Sequence, residues 1–166
     1  RSDINSVSEK IQITGSKSET NRLLLLKNLY PNIELENVSN SDDSEVMGVA
    51  LSSDSNLIDV HHAGTAMRFL TAYFATQTDR EIVITGSQRM QERPIKILVD
   101  ALRQLGCEIS YEKNDGYPPL RIKGVKVESN VVRIAANVSS QYLSALLLVA
   151  PKLKNGLELH LEGEIT

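Results

Sequence analysis

The chain has 166 residues and a formal net charge of -3, with 41% hydrophobic and 23% charged residues. This composition is typical of a globular protein with its own core, and the negative balance argues against a nucleic-acid surface. No apolar run is long enough to cross a bilayer, so no membrane contact is expected. The single cysteine, Cys107, excludes an internal disulfide and predicts a buried side chain and a cytoplasmic location.

Hydrophobic spacing and turn residues predict strands and helices that alternate along the chain. Strands are expected near residues 10–14, 33–37, 56–61, 80–85, 107–113, 120–124, 130–135 and 157–162. Helices are expected near residues 19–29, 42–52, 64–76, 94–105 and 139–150. Pro31, Gly106 and Pro151 follow three of these helices as stop signals, and Pro94 suits a helix start. The order predicts an α/β (α+β) fold built from repeated β-α-β-α-β-β units.

Two further features concern organisation. Residues 115–119, Asp-Gly-Tyr-Pro-Pro, predict a tight connection and therefore an antiparallel pair of strands. No low-complexity linker interrupts the chain, so residues 1–166 are expected to form a single domain. The chain begins with Arg1 and stops just after a predicted strand, and we expect it to be a piece of a longer protein.

The most informative segment is residues 15–22, Gly-Ser-Lys-Ser-Glu-Thr-Asn-Arg, where a predicted strand gives way to a leucine-rich helix. Lys17 and Arg22 add formal charge to the helix N-terminus, whose free N–H groups already favour an anion. A solvated cap, in which Ser16 or Ser18 bonds the helix N–H groups, is the open alternative. A nucleotide P-loop is excluded, because its two glycines would have to stand at residues 11 and 16.

The same segment recurs along the chain. Ile-Thr-Gly-Ser stands at residues 13–16 and again at 84–87, and an arginine follows each glycine by seven residues, Arg22 and Arg93. Residues 134–141 form a fainter third copy. Internal repetition predicts one structural unit used several times, with equivalent corners brought together.

A second corner spans residues 62–68. Gly64 permits close approach of a ligand to the backbone, Thr65 can cap the helix, and Arg68 can tie the corner together. The neighbouring pair His61-His62 does not predict a metal site, because adjacent strand residues face opposite sides and no further ligand stands at suitable spacing.

Taken in order, these motifs resemble the N-terminal half of 5-enolpyruvylshikimate-3-phosphate synthase. The resemblance rests on residues 15–18 with 21–22, 63–68, 89–90 with 92–95, 117–120 and 139–141. It implies transfer of the enolpyruvyl group from phosphoenolpyruvate to the 5-hydroxyl of shikimate 3-phosphate, in aromatic amino-acid biosynthesis. It also implies a monomeric enzyme without metal or organic cofactor, built from two domains with sheets outside and helices packed inside. This chain would be the N-terminal domain, incomplete.

The resemblance also implies roles for individual residues. Those facing phosphoenolpyruvate would be Lys17, Gly64, Arg93 and Gln141, and those holding shikimate 3-phosphate would be Ser18, Arg22, Ser139 and Ser140, with Lys17 and Gln141 between the two substrates. The family's acidic catalytic residues lie in the C-terminal half. Lys17 is therefore the one catalytic candidate in this chain, which alone should be inactive. We interpret Asp42 and Asp43 as helix caps.

Two positions depart from the family pattern. His62 stands where the family usually has Asn, and it is expected to alter the wall beside phosphoenolpyruvate. Phe69 stands where many members have Pro, and it is expected to affect the start of a helix more than the chemistry.

Two other functions remain open. The related transferase acting on UDP-N-acetylglucosamine shares the fold and the donor, but it normally carries a reactive cysteine in a mobile loop, whereas Cys107 lies in a predicted strand. A non-catalytic anion-binding domain is the second alternative.

Overall fold

In the computed structural model, which describes residues 10–163, helices and strands alternate along the chain. The helices are α1 (Lys17–Leu29), α2 (Asp42–Ser52), α3 (Gly64–Ala75), α4 (Gln88–Gln91), α5 (Lys96–Gln104) and α6 (Ser140–Val149), followed by a short 3₁₀ helix (Ala150–Lys152). The strands are β1 (Leu57–Asp59), β2 (Glu81–Thr85), β3 (Glu108–Tyr111), β4 (Leu120–Lys123), β5 (Val131–Ala135) and β6 (Glu158–Glu162). The predicted α/β class is confirmed.

One sheet contains a complete copy of the predicted unit. Its strand order is β1-β2-β4-β3, with β1 parallel to β2 and with β4 antiparallel to both of its neighbours. Along the chain this reads β1-α3-β2-α5-β3-β4, with the short helix α4 inserted before α5. The antiparallel pair predicted from residues 115–119 is β3 with β4, which is confirmed.

The second sheet corresponds to the third copy of the repeat. Strands β5 and β6 pair in parallel, and α6 crosses between them. Val131 lies opposite Glu158 and Ala135 lies opposite Glu162, so the two strands are in register over their full length.

Two predicted strands are wrong. Residues 10–14 and 33–37 form no strand, and neither segment pairs with any strand in residues 10–163. Ile11 is 82% exposed and Ile13 is 75% exposed. β-branched residues favour extended backbone, but a strand needs a neighbour to satisfy its N–H and C=O groups. The helix predicted at 94–105 also starts later, since Ile95 is the N-cap of α5.

The core lies around α3, which is apolar on nearly all sides. Phe69, Leu70 and Phe74 are among its fully buried residues, and α3 packs on α2, α6 and the sheet. Strand β2 turns Ile82 and Ile84 inward, while its alternate residues are partly or fully exposed. Helix α3 therefore lies inside, and the strand β2 has its exposed residues on the outside, in line with the expected arrangement. In the described part of the chain, no helix combines the length and apolar character needed to cross a membrane.

Candidate functional site

Each of the three repeated corners ends in a serine that caps a helix. Ser16 accepts a hydrogen bond from the backbone N–H of Glu19, and Ser87 accepts one from the N–H of Met90 at 3.3 Å. Ser139 accepts one from the N–H of Gln141 at 3.3 Å. The cap interpretation is therefore correct for Ser16, and the predicted repetition extends to local hydrogen bonding.

Arg22 is held by residues of three helices. Its Nη1 donates to the carbonyl of Ser18 at 2.7 Å and to the hydroxyl of Ser18 at 2.5 Å. Its Nη2 donates to Oγ of Ser144 in α6 at 3.1 Å, and its guanidinium lies over the ring of Phe69 in α3. Ser18 therefore contacts Arg22 instead of capping the helix. Ser144 was not identified from the sequence, although it is a polar residue directly before the apolar run 145–149 of α6.

Phe69 is placed differently from the sequence-based expectation. It lies in the middle of α3, is fully buried, and faces Arg22. The residue expected to depart from the family pattern is thus adjacent to a candidate substrate-binding arginine, away from the start of the helix.

Lys17 is the first residue of α1 and contacts α2. Its Nζ lies 3.1 Å from Oδ2 of Asp43, and the lysine side chain is half exposed. The N-cap of α2 is Ser41, and no side-chain cap bond forms there. Asp43 is therefore the ion-pair partner of Lys17. The interpretation of Asp43 as a helix cap did not include this ion pair. Asp42 also points elsewhere, with Oδ2 at 3.8 Å from Nε2 of His62.

Gly64 and Arg93 lie against each other. A Cβ added to Gly64 would collide with Nη1 of Arg93, so a larger residue there would push the guanidinium away from the start of α3. Arg68 connects the backbones on both sides of this contact. Its Nη1 donates to the carbonyl of Gly64 at 2.9 Å, and its Nη2 lies 3.5 Å from the carbonyl of Pro94. The prediction that Arg68 ties the corner together is confirmed.

Arg68 is 95% buried beside a second cation. Burial lowers the pKa of its guanidinium, and the nearby charge of Arg93 lowers it further. Tyr142, whose hydroxyl donates to the carbonyl of Pro94 at 2.9 Å, acts in the opposite direction and raises it. Two guanidinium groups packed this closely favour a negatively charged ligand beside them.

A cavity of about 590 Å³ opens next to this pair of arginines. It is lined by His62, Arg89, Met90 and Arg93. Arg89 belongs to a motif noted in the sequence but was not assigned a role there. Arginine can bind a carboxylate or phosphate through two parallel hydrogen bonds, so this cavity is suited to a small anion.

Gln141 joins the residues around Arg22 to those around Gly64 and Arg93. Its Nε2 donates to Oγ1 of Thr65 at 3.2 Å, which connects the start of α6 to the start of α3. Ser139 and Ser140 stand exposed at the same end of α6, on the helix that also holds Arg22 through Ser144. The structure thus brings the start of α6 to the start of α3 and joins α6 to α1 through Arg22 and Ser144. Lys17, at the start of α1, is instead bonded to α2.

Residues 39–166 match the family described as EPSP synthase (3-phosphoshikimate 1-carboxyvinyltransferase). The chain belongs to the EPSP synthase family. A 3-phosphoshikimate 1-carboxyvinyltransferase of Bacteroides fragilis is 51% identical over 93% of this chain and 38% of that protein. The enzyme of the same name from Shewanella pealeana is 40% identical over 98% of the chain and 44% of that protein. The chain therefore spans about two fifths of the length of these EPSP synthase relatives.

The fold is also similar to that of a solved member. The EPSP synthase from Acinetobacter baumannii aligns with a TM-score of 0.76 at 18% identity, over 94% of this chain and 41% of that one. The family resemblance inferred from the sequence motifs is confirmed, and with it the fold of the EPSP synthase family.

The cysteine argues against the related transferase that uses a reactive thiol. Cys107 immediately precedes β3 and is 5% exposed. Burial raises the pKa of its thiol to about 12, which keeps it protonated and inert at neutral pH.

Proposed function

We propose that the protein to which this chain belongs transfers the enolpyruvyl group of phosphoenolpyruvate to the 5-hydroxyl of shikimate 3-phosphate, in the pathway to aromatic amino acids. Support comes from membership of the EPSP synthase family and from two fixed cations, Arg22 held against α6 and Arg93 held against the start of α3. The hydrogen bond between Gln141 and Thr65 carries the proposal most directly. It joins the residues proposed for shikimate 3-phosphate, which accepts the enolpyruvyl group, to those proposed for phosphoenolpyruvate, which donates it.

The acceptor site holds shikimate 3-phosphate. Ser18, Arg22, Ser139 and Ser140 supply hydroxyl and guanidinium donors from α1 and α6, and Arg22 is already fixed against α6. A phosphate group needs several donors of this kind, and charged hydrogen bonds are the strongest available to it.

The donor site holds phosphoenolpyruvate. Gly64 leaves space for the guanidinium of Arg93, which lines the cationic cavity. Lys17 and Gln141 stand between the two substrates.

The 5-hydroxyl of shikimate 3-phosphate loses its proton as its oxygen bonds to C2 of phosphoenolpyruvate, while the C2–C3 double bond opens and C3 gains a proton. The tetrahedral intermediate then loses phosphate and the same C3 position loses a proton. Lys17 stabilises negative charge on this intermediate, and the proton transfers fall to acidic groups outside this chain. Residues 1–166 therefore form the N-terminal substrate-binding part of a two-domain, monomeric, cytoplasmic enzyme, and the chain alone is inactive.

Calorimetric titration with shikimate 3-phosphate tests the acceptor site. Binding should be lost in Arg22→Ala and kept in Arg80→Ala, since Arg80 lies over Phe74 and bonds to residues 53 and 55 instead. Equal binding by both variants would contradict the assignment. Phosphate release from both substrates by the isolated chain would show that the proposed division of catalysis is wrong.

A further inference from the structure

Phe69 and Arg22 form a contact between two helices that the family-level roles do not include. The Cζ atom of Arg22 lies 5.4 Å from the centroid of the Phe69 ring. Phe69 is fully buried in α3, so its ring is held by the core and cannot swing away. A cation over an aromatic face at this distance is attracted to it, and the ring also restricts where the guanidinium can lie.

The remaining contacts of Arg22 leave part of its guanidinium available. Arginine has five N–H groups, and the bonds to the carbonyl and hydroxyl of Ser18 and to the hydroxyl of Ser144 use three of them. Among the described residues, no acceptor engages Nε or the second N–H of Nη2. Arg22 therefore keeps two free N–H groups while the Phe69 ring covers one face of its guanidinium and hydrogen bonds hold Nη1 and Nη2.

We propose that Phe69 is a positioning residue, which holds the guanidinium of Arg22 ready for an anionic group of shikimate 3-phosphate. The proposal rests on the proposed function, because it concerns the same acceptor site. A long, flexible side chain loses rotational freedom when it binds, and a side chain that is already ordered loses less. The ring therefore improves acceptor binding without touching the substrate.

A purely structural role for Phe69 is the competing explanation, and Phe74 provides a matched control. Phe74 lies in the same helix, is 1% exposed, and has its own arginine, with Cζ of Arg80 at 4.8 Å from its ring centroid. Phe69→Leu and Phe74→Leu each remove one buried ring from under one arginine. Their costs to the core are comparable, but only the first concerns Arg22.

The test combines a spectroscopic and a binding readout on the full 166-residue chain. The side-chain Nε–H of Arg22 is observed by ¹⁵N relaxation, and the Kd for shikimate 3-phosphate is measured by titration. Phe69→Leu should increase the mobility of this N–H and raise the Kd roughly 2- to 5-fold, as expected for loss of one cation–π contact. Phe74→Leu should change neither. Ser144→Ala removes the α6 acceptor without altering the core and should act in the same direction as Phe69→Leu.

The outcomes separate this inference from the proposed function. If Arg22→Ala binds as tightly as the unchanged chain, Arg22 does not contact shikimate 3-phosphate and the acceptor site itself is wrong. If Arg22→Ala loses binding but Phe69→Leu and Ser144→Ala leave both readouts at the level of Phe74→Leu, the positioning role is overturned while the acceptor site stands. A raised mobility with an unchanged Kd also overturns it.

Discussion

The guanidinium of Arg93 occupies the space where any residue other than glycine at position 64 would place its Cβ. Because Gly64 begins α3 and Arg93 lies beyond α4, this contact joins two corners far apart in the chain. The proposed phosphoenolpyruvate site depends on the absence of a side chain at Gly64, so adding a methyl group there tests it.

Gly64→Ala should displace Arg93 and weaken binding of phosphoenolpyruvate. The clash is with the end of a flexible, exposed side chain, so stability should change by less than about 0.5 kcal/mol while the Kd rises roughly tenfold. Calorimetric titration and urea unfolding measure the two effects.

Gly48→Ala is the matched control for this change. Gly48 lies inside α2, and a Cβ there meets nothing within 4 Å. It should leave the Kd unchanged and stabilise the helix by about 0.5 to 1 kcal/mol. An equal loss of phosphoenolpyruvate binding in both variants would contradict the role of Gly64.

Removing the charge of Asp43 should strengthen anion binding at Lys17. Asp43→Asn takes away the carboxylate 3.1 Å from Nζ of Lys17, so the affinity for inorganic phosphate should rise a few-fold at low salt and by less at high salt. Asp42→Asn is the control, since Asp42 lies near His62 instead. Weaker phosphate binding in Asp43→Asn would mean that Asp43 orients Lys17 more than it opposes the anion.

Ile13 and Ile84 occupy the same place in the repeated Ile-Thr-Gly-Ser sequence but have opposite environments. Ile13 is 75% exposed, whereas Ile84 is 0% exposed in the central part of the sheet. Ile84→Ala should cost about 2 to 5 kcal/mol of unfolding free energy, and Ile13→Ala less than about 0.5 kcal/mol. Similar losses measured by urea unfolding would show that Ile13 is buried in solution, which would contradict its exposed position.

Ile13 and Ile84 also show how far the secondary structure could be predicted from the sequence, since Ile84 lies in a strand as predicted and Ile13 does not. Helices were predicted well because stop signals such as Pro31 and Gly106 act locally. Strand 10–14 was wrong because pairing depends on a neighbouring strand, which local β-propensity does not reveal. The motifs name the candidate cations, but the partner that each one meets, Ser144 for Arg22 and Asp43 for Lys17, is decided by how the helices pack.

Burial of Cys107 predicts a stability that falls at alkaline pH. The folded-state pKa of its thiol is raised to about 12, so the folded chain keeps this proton where the unfolded chain releases it. Stability is therefore fully present below about pH 9 and decreases above it by up to about 1.4 kcal/mol per pH unit. Burial also raises the pKa of Tyr111 to about 12, which adds to the decrease above about pH 10.

Cys107→Ala distinguishes the contribution of the thiol to this loss of stability from that of Tyr111. In urea unfolding, this variant should show a flatter dependence between about pH 9 and pH 10, where the thiol contributes more than the buried tyrosines. An unchanged slope in that window would contradict burial of the thiol.

The most direct test of the two-site account is a pair of amide-shift NMR titrations of the chain, one with shikimate 3-phosphate and one with phosphoenolpyruvate. We predict that the first shifts residues 15–22 and 139–144, that the second shifts residues 62–65 and 89–93, and that Gln141 responds to both. If both ligands shift the same residues, or if neither shifts any residue of a folded sample at saturation, the account is contradicted.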